Sequence, residues 1–85
     1  MTVKFFGSIL EHTNGEMSFE PGTCPSLREL SGLLGSRYGE SFTELMLGGA
    51  CFFLVNGRGT ALTGGLDTLL KKGDRVDMLP FVDAG

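Results

Sequence analysis

The chain has 85 residues, a net charge of −3 and two cysteines, which suffices for one domain with a single core but leaves no room for a separate catalytic domain. Lysine and arginine are scattered without a basic run, so we expect no nucleic-acid partner. No apolar run approaches the roughly 20 residues of a membrane span, and the N-terminus lacks the apolar segment of a signal peptide. We therefore expect a cytoplasmic protein with no membrane partner.

The first two predicted elements are strands. Residues 3–7 are rich in valine and phenylalanine, and residues 16–20 alternate polar and apolar side chains. The segment 12–15 between them ends in Asn14-Gly15, which is typical of a turn. The sequence thus predicts a hairpin.

A helix is predicted next. Ser26 and Glu29 have the spacing of a capping box, and apolar residues recur at helical intervals from Leu27 to Tyr38. Gly39 stands where a C-terminal glycine is expected. Two internal glycines, Gly32 and Gly35, weaken the helix, so we expect tertiary packing to hold it.

The remaining elements are mainly strands. Residues 51–55 are nearly all apolar, which predicts a central strand covered on both faces. Asn56-Gly57 predicts a turn, residues 66–70 a short helical turn, and residues 72–74 another turn. Residues 75–80 form the last predicted strand, and because Pro80 has no N–H group, we expect regular pairing to fail at or just before it.

This order of elements predicts an α+β fold of the β-grasp (ubiquitin-like) type, in which a mixed sheet of four or five strands wraps one main helix. We assign residues 1–80 to a single domain and residues 81–85 to a flexible tail.

The cysteines and the histidine give no sign of a metal site. Cys24 and Cys51 are far apart and have no neighbouring ligands, so we interpret both as small packing residues, with a disulfide as the alternative. His12 has no second histidine to work with and is interpreted as a surface residue.

The C-terminus is the strongest candidate for a functional site. The chain ends in Pro80-Phe81-Val82-Asp83-Ala84-Gly85. A terminal glycine has no Cβ, so its carboxylate can enter a narrow slot in another protein. The alternative is an ordinary frayed end.

Several sequence blocks carry a resemblance to a known family. They are Val3-Lys4-Phe5-Phe6-Gly7, Ser26-Leu27-Arg28-Glu29-Leu30, Arg37-Tyr38-Gly39, Val55-Asn56-Gly57, Lys72-Gly73-Asp74-Arg75-Val76 and Leu79-Pro80. Together, over the full length and ending on glycine, they resemble the MoaD/ThiS family of ubiquitin-like sulfur carriers, and the MoaD branch of molybdopterin synthase small subunits most.

The resemblance implies a carrier that is not itself an enzyme and binds no cofactor. Gly85 would be adenylated with ATP by a partner adenylyltransferase resembling the ubiquitin-activating enzymes, and then converted to a thiocarboxylate. A large molybdopterin-synthase-like subunit would accept the tail, with Asp83 and Ala84 as its threading residues. The partner-binding residues implied are Phe6, Leu79, Pro80 and Phe81.

The chain departs from the family at Ala84, where the usual ending is Gly-Gly. This departure leaves two interpretations, a dedicated activating enzyme or a homologue that no longer carries sulfur. Other hypotheses remain open as well. The chain could serve another pathway such as thiamine synthesis or tRNA thiolation, act as a protein modifier joined through Gly85, or be an interaction module with an incidental tail.

Overall fold

A computed structural model describes residues 1–60 and 63–81, apart from the side chain of Leu47. Within these described residues, five strands and two α-helices are present. In chain order they are β1 (Thr2–Phe5), β2 (Ser18–Phe19), α1 (Leu27–Tyr38), α2 (Glu40–Leu47), β3 (Cys51–Val55), β4 (Arg58–Gly59) and β5 (Arg75–Pro80). The short 3-10 helices Gly7–His12 and Gly65–Asp67 lie in the connections.

The strands form one mixed sheet in the order β2-β1-β5-β3-β4. The first and last strands of the chain, β1 and β5, are parallel neighbours, and every other pair is antiparallel. The helices cover one face of the sheet, where the buried residues include Val3, Phe5, Phe53, Val76 and Met78. This arrangement confirms the predicted β-grasp fold.

The N-terminal hairpin is confirmed, with a longer connection than expected. The 3-10 helix Gly7–His12 follows β1, and Asn14 and Gly15 then turn the chain with φ values of 56° and 82°. The buried Thr13 hydroxyl donates to the carbonyl oxygen of Glu16 at 2.8 Å and closes this turn. Strand β2 is only two residues long.

Helix α1 has the predicted bounds. The Ser26 side chain accepts a hydrogen bond from the Glu29 backbone N–H at 3.4 Å, which is the N-cap half of the predicted capping box. Leu27, Leu30 and Leu34 are fully buried under it. The helix ends at Gly39, whose φ of 98° is unfavourable for residues with a Cβ.

Helix α2 was not predicted. It starts directly after Gly39 with no side-chain cap, so the usual signal of a helix start is missing. Its Phe42 is fully buried and packs against Tyr38, with ring centroids 5.1 Å apart, and against Phe5 at 6.0 Å. These aromatic contacts fix α2 to α1 and to the sheet.

The predicted position of residues 51–55 needs correction. The middle strand is β5, whereas β3 lies beside the short edge strand β4, which it contacts only at Leu54 and Val55. Phe52 and Leu54 face away from the helices and are only partly buried. An apolar strand here therefore indicates a partly open apolar surface, not a second covering layer.

The last two predictions are also modified. The segment 66–70 gives only the 3-10 helix Gly65–Asp67, followed by a bridge between Leu69 and Ser26. Pairing does not fail before Pro80, which lies opposite Cys51. The Phe81 N–H donates to the Ala50 carbonyl oxygen on the β3 side of β5, and the Met78 carbonyl oxygen accepts from the Phe6 N–H on the β1 side. Because backbone groups alternate sides along a strand, the nitrogen of Pro80 points toward the β1 side. It lies beyond the end of β1, so its missing N–H leaves no ladder hydrogen bond unmade.

Candidate functional site

The C-terminal tail begins at a fixed point on the sheet. The backbone N–H of Phe81 donates to the carbonyl oxygen of Ala50 at 3.1 Å, which continues the β3–β5 ladder by one bond. The predicted site residues Asp83, Ala84 and Gly85 lie outside the described residues, as does Val82. Their roles, and the boundary between domain and tail, stay predictions.

Three apolar side chains form a row across the outer face of the sheet, the face opposite the helices. Leu79 of β5 lies opposite Phe52 of β3. On its other side is Phe6, which continues β1 by donating its N–H to Met78 C=O at 3.1 Å. Strands are about 4.8 Å apart, so this row is about 10 Å wide. The structure thus brings the predicted residues Phe6 and Leu79 together.

Phe81 extends the row toward the tail. Its ring lies on Phe52, with centroids 4.9 Å apart and ring planes inclined by 38°, and 62% of the residue remains exposed. Large apolar side chains that adjoin one another on an exposed surface mark a candidate surface for protein contact. We call Phe6, Phe52, Leu79 and Phe81 the apolar patch.

Phe52 was missed as a site residue, although the sequence held the signal. Side chains alternate between the two faces of a strand, so residues 51–55 must present every second apolar residue to the outer face. Pro80 was included in the predicted surface, but its position opposite the buried Cys51 places it on the helix-facing side. It fixes the backbone at the root of the tail and lies outside the apolar patch.

Charged residues occupy the next positions on the outer face. Lys4 lies beside Asp77, and Asp77 lies opposite Leu54 on β3. The Arg75 Nε–H donates to Asp77 Oδ1 at 2.8 Å. The Asp77 side chain is only 13% exposed, while that of Arg75 is 52% exposed. The outer face therefore combines an apolar end at the tail with a charged end away from it.

Two of the surface cavities of the described chain differ in their position relative to the tail. One of about 540 Å³ adjoins the root of the tail and is lined mainly by apolar residues, including Phe52, Phe53, Leu66 and Phe81. The larger, of about 630 Å³, lies away from the tail beside Asn56, Lys71 and Asp74. The Asp74 carboxylate in this larger cavity already accepts hydrogen bonds from the Asn56 amide and the Lys71 backbone N–H. We therefore interpret the larger cavity as a structural feature.

Both cysteines are buried and free, as packing residues should be. Burial raises the pKa of the Cys51 thiol, and burial together with the nearby Glu29 carboxylate raises the pKa of Cys24. Both therefore stay protonated and weakly nucleophilic at neutral pH.

The described part of the chain also bears on two other kinds of site, a metal site and a membrane span. Residues 1–60 and 63–81 contain no group of three or more histidine, cysteine or acidic residues placed to hold a metal ion. No helix within those ranges is long and apolar enough to cross a membrane.

Comparison with known proteins identifies relatives over nearly the whole chain. Residues 3–85 match the model of the ThiS family. A chain of the *Helicobacter pylori* complex of molybdopterin-converting factor subunits 1 and 2 is 30% identical, with a TM-score of 0.66 over 99% of this chain and 96% of that one. No curated protein sequence gives a significant match.

Two further structures extend this comparison. A chain of the *Amycolatopsis orientalis* BexX/CysO complex is 27% identical, with a TM-score of 0.81 over 99% of this chain and 98% of that one. Urm1 from *Trypanosoma brucei* is 23% identical, with a TM-score of 0.74 over 99% of this chain and 93% of that one, and supports the fold alone.

Proposed function

Since the chain belongs to the ThiS family, we propose that it carries sulfur on the carboxylate of Gly85 and is a co-substrate without catalytic residues of its own. The observation that carries the proposal is the family match, which runs to the terminal glycine. The apolar patch supports it, because a carrier needs a surface that its partners can bind beside the reactive end.

The chemistry requires a partner. A carboxylate is a poor electrophile, so its oxygen first attacks the α-phosphate of ATP, and pyrophosphate leaves as the acyl-adenylate forms. A sulfur donor at the hydrosulfide level then displaces AMP and leaves a thiocarboxylate on Gly85. The sequence has no glycine-rich loop followed by Lys and Ser/Thr to hold a nucleotide. We therefore assign ATP to a partner adenylyltransferase resembling the ubiquitin-activating enzymes.

The C-terminal tail is long enough for Gly85 to enter the active site of a partner while the folded body stays outside it. Five residues from Phe81 to Gly85 span about 17 Å when fully extended. The hydrogen bond from Phe81 to Ala50 supports a fixed starting point for this reach at the edge of the apolar patch. The folded body can then remain bound to its partner while Gly85 reacts inside the partner's active site.

The acceptor that we propose is a large molybdopterin-synthase-like subunit, with sulfur passing into molybdopterin. The support is the 30% identity to a chain of the *Helicobacter pylori* complex between two subunits of the molybdopterin-converting factor. The similar chain in the BexX/CysO complex belongs to another assembly. The acceptor therefore needs a test separate from the test of sulfur loading.

Mass spectrometry tests sulfur loading directly. The purified chain is incubated with ATP, a sulfide donor and the adenylyltransferase encoded in the same genome. We expect the C-terminal peptide to gain the mass difference between sulfur and oxygen. A chain lacking Gly85 is the matched control and should gain nothing. An unchanged C-terminal peptide, or sulfur found only on the peptides of Cys24 and Cys51, would contradict the proposal.

The acceptor is tested with the loaded carrier. Mixed with the large synthase subunit and the pterin precursor, the thiocarboxylate form should lose its sulfur as the dithiolene product appears. If sulfur is loaded onto Gly85 but is not transferred to the pterin, the proposed acceptor is wrong and the carrier serves another pathway. Cellular proteins bearing an Ala-Gly remnant on lysine would instead support the protein-modifier alternative.

A further inference from the structure

We propose that the charged end of the outer face binds carboxylates of the activating enzyme through Lys4 and Arg75, with Asp77 as the residue that positions Arg75. This inference rests on the proposed function and deepens it by assigning the chemistry of the partner surface. The activating enzyme is the partner we assign because every route of sulfur transfer from Gly85 begins with adenylation.

Any partner that covers the apolar patch also covers Lys4, Arg75 and Asp77. A protein interface of ordinary size buries about 800 Å² on each side, equivalent to a disc of about 16 Å radius. Along β5, Asp77 lies about 7 Å and Arg75 about 13 Å from Leu79. Lys4 is beside Asp77 on β1. A partner centred on Leu79 therefore reaches all three residues.

The charges of this region are incompletely paired within the described chain. Asp77 accepts from Nε of Arg75, and the two terminal Nη groups of Arg75 donate to no acceptor among the described residues. Lys4 likewise forms no ion pair with the residues that the structure describes. A partner that excluded water from these cations without supplying acceptors would leave them unpaired at a cost in affinity. Carboxylates are the acceptors that match a guanidinium best.

The distribution of charge over the molecule favours one orientation. The chain as a whole has a net charge of −3, and α2 carries Glu40 and Glu44 with no lysine or arginine. Lys4, Arg75 and Asp77 together carry one positive charge in excess next to the apolar patch, whereas the nearest carboxylate toward the β2 edge is that of Glu20, the residue after β2. An acidic partner surface is thus repelled by the α2 side and attracted to Lys4 and Arg75, on the face from which the tail starts.

Asp77 is assigned a positioning role by its contacts. It holds Arg75 by the inner Nε–H, and this leaves the outer edge of the guanidinium for a partner carboxylate. Asp77→Asn makes the outer face more positive while weakening this hold. A positioning role predicts weaker binding of an acidic partner, whereas a purely electrostatic role predicts tighter binding.

The experiment measures KM for the carrier in ATP–pyrophosphate exchange by the adenylyltransferase of the same genome. Lys4→Glu and Arg75→Glu should each raise KM about tenfold at low salt, with kcat unchanged. Lys72→Glu is the matched control, because it makes the same change of charge at an exposed turn away from the outer face, and it should alter KM less than about twofold. Asp77→Asn should raise KM, and added salt should raise the KM of the wild type more than that of the Lys4→Glu/Arg75→Glu double variant.

The outcomes separate this inference from the proposed function. Lack of adenylation of the wild type overturns both. Normal adenylation with Lys4→Glu and Arg75→Glu indistinguishable from Lys72→Glu overturns the inference alone, and a lower KM for Asp77→Asn overturns the positioning role. Thermal unfolding of each variant shows whether the fold is intact, and Lys4→Gln, which only removes a charge, repeats the test if Arg75→Glu does not fold.

Discussion

At Asp74, a single carboxylate joins the two turns that flank β5 and β3. It accepts from Asn56 Nδ2 at 3.0 Å and from the Lys71 backbone N–H at 2.8 Å. Asn56 in turn accepts from the Arg75 backbone N–H at 2.9 Å. The hydrogen bond from Asn56, followed by that from Lys71, lowers the pKa of Asp74. The folded state therefore prefers the charged form of this residue.

This preference predicts a specific loss of stability in acid. A carboxylate whose pKa is lower in the folded than in the unfolded chain stabilises the fold above its unfolded pKa of about 3.9, and the stabilisation disappears as pH falls through the folded pKa. Asp74→Asn should lower the free energy of unfolding by about 1–3 kcal/mol at neutral pH. With Asp74→Asn, the free energy of unfolding should also fall less steeply than in the wild type as pH drops below about 4.

Urea unfolding at a series of pH values measures both effects. Asp67→Asn is the control, since the Asp67 side chain is 78% exposed and, among the described residues, forms an ion pair only with the exposed Arg28. If the free energy of unfolding fell equally steeply in acid for the wild type and for Asp74→Asn, Asp74 would contribute nothing to the loss of stability in acid.

Ala84 offers a test of tail insertion at the level of one side chain. Alanine accepts the extended conformations that a threaded tail uses, so Ala84→Gly should transfer sulfur at least as well as the wild type. Ala84→Phe should lower the rate of adenylation or transfer by about 100-fold, because a bulky ring misplaces Gly85 in a narrow channel. Single-turnover assays, with thermal unfolding to confirm an intact body, measure this. Equal rates for the two variants would contradict insertion.

At the scale of elements, the contact between α1 and α2 depends on one of two glycines. A Cβ added at Gly35 would overlap Thr43 Oγ1 of α2, whereas a Cβ at Gly32 would meet nothing. Thr43 also donates to Gly39 C=O at 3.4 Å, at the joint between the two helices. Gly35 is thus required by close packing, and Gly32 is not.

This difference predicts opposite effects of the same substitution. Gly32→Ala should raise the free energy of unfolding by about 0.5–1 kcal/mol, the gain in helix propensity. Gly35→Ala should lower it, because Thr43 must move and its hydrogen bond is lost. Chemical denaturation of the two variants compares them directly. Stabilisation by both alanines would mean that α2 adapts freely and that its packing on Gly35 is unimportant.

The elements predicted well are those whose signals are local. The capping box at Ser26, the leucines of α1 and the Asn56-Gly57 turn all act within a few residues. Helix α2 depends instead on the burial of Phe42 against Tyr38 and Phe5, which are distant or on another element. The strand order, and with it the exposure of Phe52, depends on long-range pairing of β3 with β5. Local patterns do not specify such contacts.

The same reasoning applies to the candidate site. Phe6, Leu79 and Phe81 followed from the family resemblance, and the fold brings Phe6 next to Leu79 through the parallel pairing of β1 and β5. Pro80 could not be separated from them until the register with Cys51 was known. Nor could the charged end at Asp77 be placed beside the apolar patch without that register.

At the scale of the whole molecule, the two faces of the sheet have different tasks. The helix-facing side buries the core residues that determine stability, while the outer face carries the apolar patch and the charged residues beside it. Side chains on the outer face can therefore be changed with little effect on the core. Partner binding and stability should be separable by mutation.

Two exposed apolar residues allow this separation to be tested. Phe81→Asp places a charge in the apolar patch and should weaken binding to the activating enzyme about 30-fold, as expected for loss of a central aromatic contact. Leu69→Asp is the matched control. Leu69 is 75% exposed, compared with 62% for Phe81, and lies beside Ser26 at the start of α1, away from the patch.

Isothermal titration against the activating enzyme, with thermal unfolding of both variants, provides the measurement. Because Phe81 contacts Phe52 on the surface and is not part of the buried core, Phe81→Asp should change the unfolding temperature only slightly. Weaker binding by both variants to the same extent would indicate a general effect of added negative charge. Weaker binding by Leu69→Asp alone would place the interface at the start of α1 and away from the outer face of the sheet.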